Sequence, residues 1–327
     1  MTAVAAVGGK RPFIMRKGIS RVEDLANGSS ALGALMAAGG NWYYCNPTNG
    51  SAGGDGLTPE TACSNLLTVY NKCRDGYNDG VLFIGGATAY NPAALFDWSN
   101  DYCHLIGISG DFAGQGARCR VVALAATALT QAMTISGDGC VIANMQFNNE
   151  KASGASGSLV LSGARIVMHN CFIMNPTSVT AAGWALKTAG EECVFYNCSI
   201  GQCSSNVRNA ATYGLWMHTD ANSNKFIGCE FKSWSDLTTH DLVFIDAITS
   251  EGWTVQFEDC LFQNLGNASL AAAIDDDHAE EYHQIIFRGR NNAMVQITAA
   301  STVLGSAYVH DQTATVSGLL HVIVAES

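Results

Sequence analysis

A short motif recurs along this chain and restricts its fold more than any other feature. It reads Asn144-Met145-Gln146-Phe147, Asn170-Cys171-Phe172-Ile173, Asn197-Cys198-Ser199-Ile200, Gly228-Cys229-Glu230-Phe231 and Asp259-Cys260-Leu261-Phe262, with second positions 26, 27, 31 and 31 residues apart. A weaker copy, Arg118-Cys119-Arg120-Val121, lies 26 residues before the first, and Asn292-Ala293-Met294-Val295 lies 33 after the fifth. Asn, Gly and Asp tolerate a left-handed backbone, so the first position predicts a sharp bend. The second and fourth positions then alternate inward, as a short strand requires. Apolar runs precede the bends: Cys140 to Ala143, Arg165 to His169, Cys193 to Tyr196, Asn224 to Ile227 and Thr254 to Phe257. Two short strands joined by a bend, repeated at this period, describe one coil of a parallel β-solenoid.

The stack also explains the cysteines. Coils lie about 4.8 Å apart, so Cys at the second position is a small, polarizable core residue above its copy in the next coil. Stacked parallel neighbours point the same way, which suits packing and not the disulfide dihedral. The chain has 12 Cys in 327 residues and no Cys-x-x-Cys, so neither a compact disulfide framework nor a zinc site is expected. Gly reaches 34 copies while Pro stops at 5 and charged residues make up 14%, a profile of many turns and little disorder that favours an all-β chain. A net charge of −11 with only 17 Lys and Arg argues against a nucleic-acid surface. No apolar stretch reaches the roughly 18 residues of a membrane span. The N-terminus places its positive charges after a small apolar run, the reverse of a secretory signal, so the expected site of synthesis is a reducing cytoplasm.

Residues 42–90 behave differently from the coils. They read as a strand, a Gly/Asn/Asp loop, a helix and a second strand, Val81 to Gly86. The helix is expected to have Thr58 as N-cap, Pro59 at its first position and Gly76 near its end, with Ala62, Leu66, Tyr70 and Cys73 on one face. Such a helix would cover the open end of the solenoid core.

In Asn46-Pro47-Thr48-Asn49-Gly50, Asp55-Gly56-Leu57-Thr58-Pro59, Thr61-Ala62 and Val81 to Tyr90, followed by coils with Asn bends, the chain resembles the right-handed parallel β-helix of the pectin-lyase type. It is especially similar to versions in bacteriophage virion proteins and tailspikes, from residue 42 to 300. The resemblance implies an all-β solenoid with an N-terminal capping helix and an extended N-terminal arm. The expected organisation is 1–40 arm and docking segment, 41–98 cap, 99–300 coils and 301–327 last coils or edge strands. The Gly/Ala/Ser-rich run from Gly28 to Gly40 would be held by a partner in a larger particle.

Candidate chemistry is sparse. Hydrolytic β-helices use two carboxylates, and eliminating ones a basic residue with cation-binding carboxylates. The acids to weigh are Asp220, Asp241, Asp246 and Asp275-Asp276-Asp277-His278-Ala279-Glu280-Glu281, and the bases are Arg165, Arg208, Arg288 and Arg290. The acids show no repeat that would stack them into a groove, and the run at 275–281 reads as a solvated loop. His218, His240, His278, His283, His310 and His321 lack metal-ligand spacing. Trp184, Trp216, Trp234 and Trp253 would line a sugar groove or pack in loops and subunit contacts. No nucleophile elbow, P-loop or dinucleotide fingerprint occurs.

No catalytic, cofactor or metal residue is therefore assigned, and the expectation is a non-enzymatic virion protein without cofactor. It would decorate or cement a bacteriophage capsid as a trimer, bind the major capsid protein or other virion proteins through its arm, and touch neither nucleic acid nor membrane. The alternative is a tailspike-like protein that binds or depolymerises a host surface glycan. The register makes its own prediction: Ile200→Asp buries a charge in the stack and abolishes folding. A soluble variant with a cooperative melting transition would overturn it.

Overall fold

The structure, a computed structural model, describes residues 39–108, 119–151, 156–175, 183–201, 212–218, 220–235, 240–246, 253–266, 270–276, 284–288, 292–295, 297–301 and 307–309. The expected arm, residues 1–38, and nearly all of the tail after 301 lie outside them. The chain is a right-handed parallel β-helix. Each coil contributes a strand to each of three sheets, which hold ten, seven and eight strands.

The first sheet begins with Trp42–Cys45, Gly80–Ile84 and His104–Ile108, and continues through Val141–Ala143, Val167–His169, Val194–Tyr196, Asn224–Ile227 and Thr254–Glu258. The second contains Gln146–Asn149, Phe172–Met174, Ser199–Gly201, Glu230–Ser233 and Leu261–Asn264. The third contains Ser156–Leu161, Gly183–Thr188, Tyr213–Met217, Asp241–Ile245 and Leu270–Asp276. Sequence reasoning had two strands per coil. The third strand escaped it because the connections before and after it vary in length, so it carries no fixed spacing from the bend.

The bend between the first and second sheets is where the repeat placed it. Asn144, Asn170, Asn197, Gly228 and Asp259 have φ of 56°, 51°, 50°, 63° and 51°. Asn170 donates its amide to the side-chain oxygen of Asn144 at 2.9 Å, so the bends bond from coil to coil. At Gly228 an added Cβ would lie 2.5 Å from Asn197 Oδ1, so glycine there answers both the φ and the approach of that side chain.

Within the second sheet Phe172 pairs with Gln146 and Ser199, Ser199 with Glu230, and Glu230 with Leu261. The weak early copy is in step as well, Arg120 pairing with Gln146. The last copy is shifted by one residue: Leu261 pairs with Ala293, which puts Asn292 in the place of a cysteine. Asn292 takes that place because its side-chain oxygen accepts the backbone N–H of Cys260 at 2.8 Å.

Like side chains stack on like. Phe195, Phe226, Phe257 and Phe287 form one interior pile, with successive ring centres 4.4, 5.3 and 5.6 Å apart. Phe231 and Phe262 begin a second at 4.9 Å. Each buried ring contributes about 1.5–3 kcal/mol. Cys171, Cys198, Cys229 and Cys260 are at most 1% exposed and unbridged. Cys229 and Cys260 donate their thiols to the carbonyls of Phe195 and Phe226 in the preceding coil, at 3.4 and 3.3 Å. Burial raises the Cys198 and Cys260 thiols, which holds them protonated.

The long helix expected from Thr58 is corrected. Residues 58–64 are turns, and the α-helix is Leu66–Tyr70, capped by Asn65, whose side-chain oxygen accepts the N–H groups of Leu67 and Thr68 at 2.9 and 3.3 Å. Thr58 and Thr61 instead bond one another, and Thr61 donates its hydroxyl to Asp55 at 2.5 Å, which fixes the loop ahead of the helix. Ala62 is buried in a separate apolar cluster with Tyr44, Leu82 and Ile106 on the outer side of the first sheet. Asp79 is fully buried beside this region. Burial opposes its charge, yet the Arg74 guanidinium at 2.8 Å and the N–H groups of Asn41 and Arg74 hold its carboxyl below the usual range.

Thiol reagents are expected to label Cys171, Cys198, Cys229 and Cys260 only after denaturation. Labelling at the rate of a free thiol in the native protein would contradict their interior placement.

Candidate functional site

The outer side of the third sheet is built by a departure from simple alternation. In Gly183–Thr188 both Ala185 and Leu186 are buried, as are Leu242 and Val243 in Asp241–Ile245, and Ala273 and Ile274 in Leu270–Asp276. Gly214 and Leu215 occupy the same places in Tyr213–Met217. Two consecutive inward residues leave the outward ones three apart: Trp184 and Lys187, Tyr213 and Trp216, Asp241 and Phe244.

Parallel register turns these positions into two rows. One runs Trp184, Tyr213, Asp241. The other runs Val160, Lys187, Trp216, Phe244, Asp275. The rings form one connected, half-buried group. Trp184 meets Trp216 edge to face at 5.3 Å, and Tyr213 stacks on Phe244 at 4.4 Å. The Lys187 ammonium stands 3.8 Å from the Trp216 ring centre, a cation–π contact. Gly157, opposite Trp184, has no side chain because a Cβ there would fall 1.9 Å from the Trp184 indole nitrogen.

Two further features belong to this surface. The indole nitrogens of Trp184 and Trp216 are buried yet have no hydrogen-bond partner among the described residues, although buried indole N–H groups normally find one. In each row a carboxylate follows the last ring, Asp241 after Tyr213 and Asp275 after Phe244. Burial and the negative charge of Asp275 push the Asp241 carboxyl up to about 7, so at neutral pH it keeps its proton about half the time.

The third sheet thus gathers acids that looked unrelated in sequence. Asp241 and Asp275 lie in adjacent coils. Asp246 follows Asp241–Ile245, its N–H donating to Met217 O, as that of His218 donates to Thr188 O, which places the two one coil apart. Asp220 is exposed, 3.6 Å from His218. The run from 275 is corrected in part, because Asp275 and Asp276 belong to a strand. Residues 277–283, with His278, Glu280, Glu281 and His283, lie outside the described residues, as do Arg208, Arg290, His310 and His321.

Other candidates fall elsewhere. Arg165 sits in a turn at φ 55° and pairs with Asp138 at 3.0 Å and Glu192 at 3.8 Å. Arg288 is exposed at the end of the strand Gln284–Arg288 of the first sheet. His240 is buried, its Nδ1 2.6 Å from Thr212 Oγ1. Trp253 is fully buried, and Trp234 follows a second-sheet strand. Among the described residues no three His, Cys, Asp or Glu side chains cluster as a metal site. Tyr213, Phe244 and Lys187 were missed in the sequence. Their signal is the aligned tetrads Trp-Ala-Leu-Lys, Tyr-Gly-Leu-Trp and Asp-Leu-Val-Phe, each with two inward residues between outward ones.

No protein-family model and no curated protein matches the chain. Among solved structures it is similar to pectate lyase Pel9A, with a TM-score of 0.50 and 13% identity over 83% of this chain and 79% of that one. It is also similar to a rhamnogalacturonan lyase, at a TM-score of 0.49 and 11% identity over 86% and 90% of the two chains. Pectin methylesterase PemA from Erwinia chrysanthemi gives a TM-score of 0.47 at 11% identity, over 84% and 90%. Identity this low shows a shared fold. The expectation of a non-enzymatic protein is corrected, because the pectate lyase that shares the fold is an enzyme.

Asp241 makes the prediction here. The folded carboxyl holds its proton to about pH 7 and the unfolded one only to 3.8, so this group favours the folded state less as pH rises between those values. A carboxyl-carbon NMR titration of the native protein should show one midpoint near 7, moving down in Asp275→Asn. A midpoint in the ordinary carboxylate range would refute the arrangement.

Proposed function

We propose that this protein is a tailspike-like β-helix that binds a polysaccharide along the outer side of its third sheet and acts on it there. The observation that supports this most is the connected, half-buried group of Trp184, Tyr213, Trp216 and Phe244, with Lys187, Asp241 and Asp275 at its margins. A pyranose ring has an apolar C–H face and a rim of hydroxyls. Aromatic faces suit the first, while an ammonium and carboxylates suit the second. A face of this chemistry fits a chain molecule, since its rings span three successive coils of the solenoid.

The likeness to a pectate lyase supports the reading at the level of fold. The similarity of Asn46 to Ala62 to virion β-helices supports a place on a bacteriophage particle, made in the host cytoplasm. In this reading residues 1–40 dock the protein to other virion proteins, the short helix Leu66–Tyr70 closes the N-terminal end of the core, and trimers display the glycan-binding face outward.

Binding of the full chain to purified polysaccharides tests the proposal, read by tryptophan fluorescence. The panel is polygalacturonate, methylated pectin, rhamnogalacturonan, xylan and bacterial O-antigen polysaccharides. At least one should bind and quench the signal, and Trp216→Ala should weaken it by about tenfold, equal to about 1.4 kcal/mol. Absence of binding to every member, or binding unchanged in Trp216→Ala with the circular dichroism of the parent, would refute it.

A further inference from the structure

The aromatic group on the third sheet holds one cation, and that cation is the chain's own. The Lys187 ammonium stands 3.8 Å from the ring centre of Trp216 and 6.0 Å from that of Trp184. Among the described residues Lys187 is the one Lys or Arg in the eight strands of this sheet, against Asp97, Asp241, Asp275 and Asp276. It lies at one end of the group, in the coil of Trp184. At the other end rings adjoin carboxylates twice, Asp241 following Tyr213 and Asp275 following Phe244 one coil further on. Tyr213 and Phe244 themselves stack at 4.4 Å.

From this placement, and resting on the polysaccharide reading above, we propose that the glycan selected by this face carries free amino groups, which sit against Tyr213 beside Asp241 and against Phe244 beside Asp275, and that polyuronates are turned away. An aromatic face and a carboxylate both attract a cation, so one ammonium satisfies the two together. A ligand carboxylate in the same place would meet two like charges. The net charge of −11 acts in the same sense at longer range. Lys187 repels the ligand's ammonium groups from the Trp184 end, which sets the direction in which the glycan lies along the coils.

The setting of Asp241 supports the assignment. Burial and the charge of Asp275 both act against its ionised form, and no cation or hydrogen bond among the described residues offsets them. The other titratable or charged groups on this side of the sheet are Asp275 on the next strand, Tyr213 on the preceding one, Lys187 one coil before that, and His218, Asp220 and Asp246 beyond the strand ends. An ammonium beside Asp241 favours its carboxylate. Binding therefore releases a proton, and the carboxyl that titrates near 7 in the free protein titrates lower in the complex.

The test uses the full chain and adds to the panel two hexasaccharides of one backbone, a glucosamine oligomer and its N-acetylated form. Both are titrated by tryptophan fluorescence at about pH 6.5, where the amines are protonated. The amino oligomer should bind at least about tenfold tighter than the N-acetylated one, and polygalacturonate should bind more weakly than either. Asp275→Asn should narrow that ratio to about threefold, and added salt should weaken the amino oligomer alone. The Asp241 carboxyl-carbon midpoint should move below 7 with the amino oligomer and stay in place with the N-acetylated one. Equal binding of the two oligomers, tighter binding of polygalacturonate, or an unmoved Asp241 midpoint overturns the selection and leaves the polysaccharide reading intact. So does failure of both oligomers where another panel member binds. If nothing in the enlarged panel binds, the polysaccharide reading falls and this inference with it.

Discussion

Everything in this molecule depends on one constraint: parallel strands from successive coils pair in register, so a side chain lies over its counterpart in the next coil. The left-handed bend at Asn144, Asn170, Asn197, Gly228 and Asp259 keeps that register, because it fixes where the chain leaves the first sheet and enters the second. With the corner fixed, interior positions must accept like on like. Phenylalanine answers with piled rings and cysteine with thiols that reach the carbonyl below. Loops can lengthen from coil to coil without disturbing either, which is why the spacing drifts from 26 to 31 residues while the pairs stay aligned.

The same constraint that builds the core builds the outer surface. Where two consecutive residues of a third-sheet strand turn inward, the outward residues on either side are carried three positions apart, and register repeats that displacement in the neighbouring coils. Rows of rings and a pair of carboxyls follow without a dedicated loop. A site on strands is held by hydrogen bonds and by the packing of the inward pair beneath it, so its rings are positioned by the part of the protein least able to move.

Much of the fold was legible because it rests on local rules. Asn and Gly at a left-handed bend, Ile200 and Phe231 three residues beyond it, and Cys198 over Cys229 all follow from residue type and spacing. The helix was misplaced because Thr58 and Pro59 look like a helix start, whereas the hydroxyls of Thr58 and Thr61 and the carboxylate of Asp55 close a turn among themselves. Asn292 was misaligned by one residue because an amide bonded to the Cys260 N–H replaced the expected thiol. The candidate site was illegible for a different reason. Asp241 and Asp275 are 34 residues apart in a stretch with no fixed period, and only the pairing of Val243 with Ile274 brings them to neighbouring coils.

Gly157 shows how far such an arrangement reaches. The Trp184 indole lies where a single methyl on the neighbouring coil would stand. The pose of that ring is therefore written by an atom that is missing, at a residue with no side chain of its own. A change from glycine to alanine there would displace the Trp184 ring, and with it the edge-to-face contact to Trp216, while leaving the residues of both rows the same.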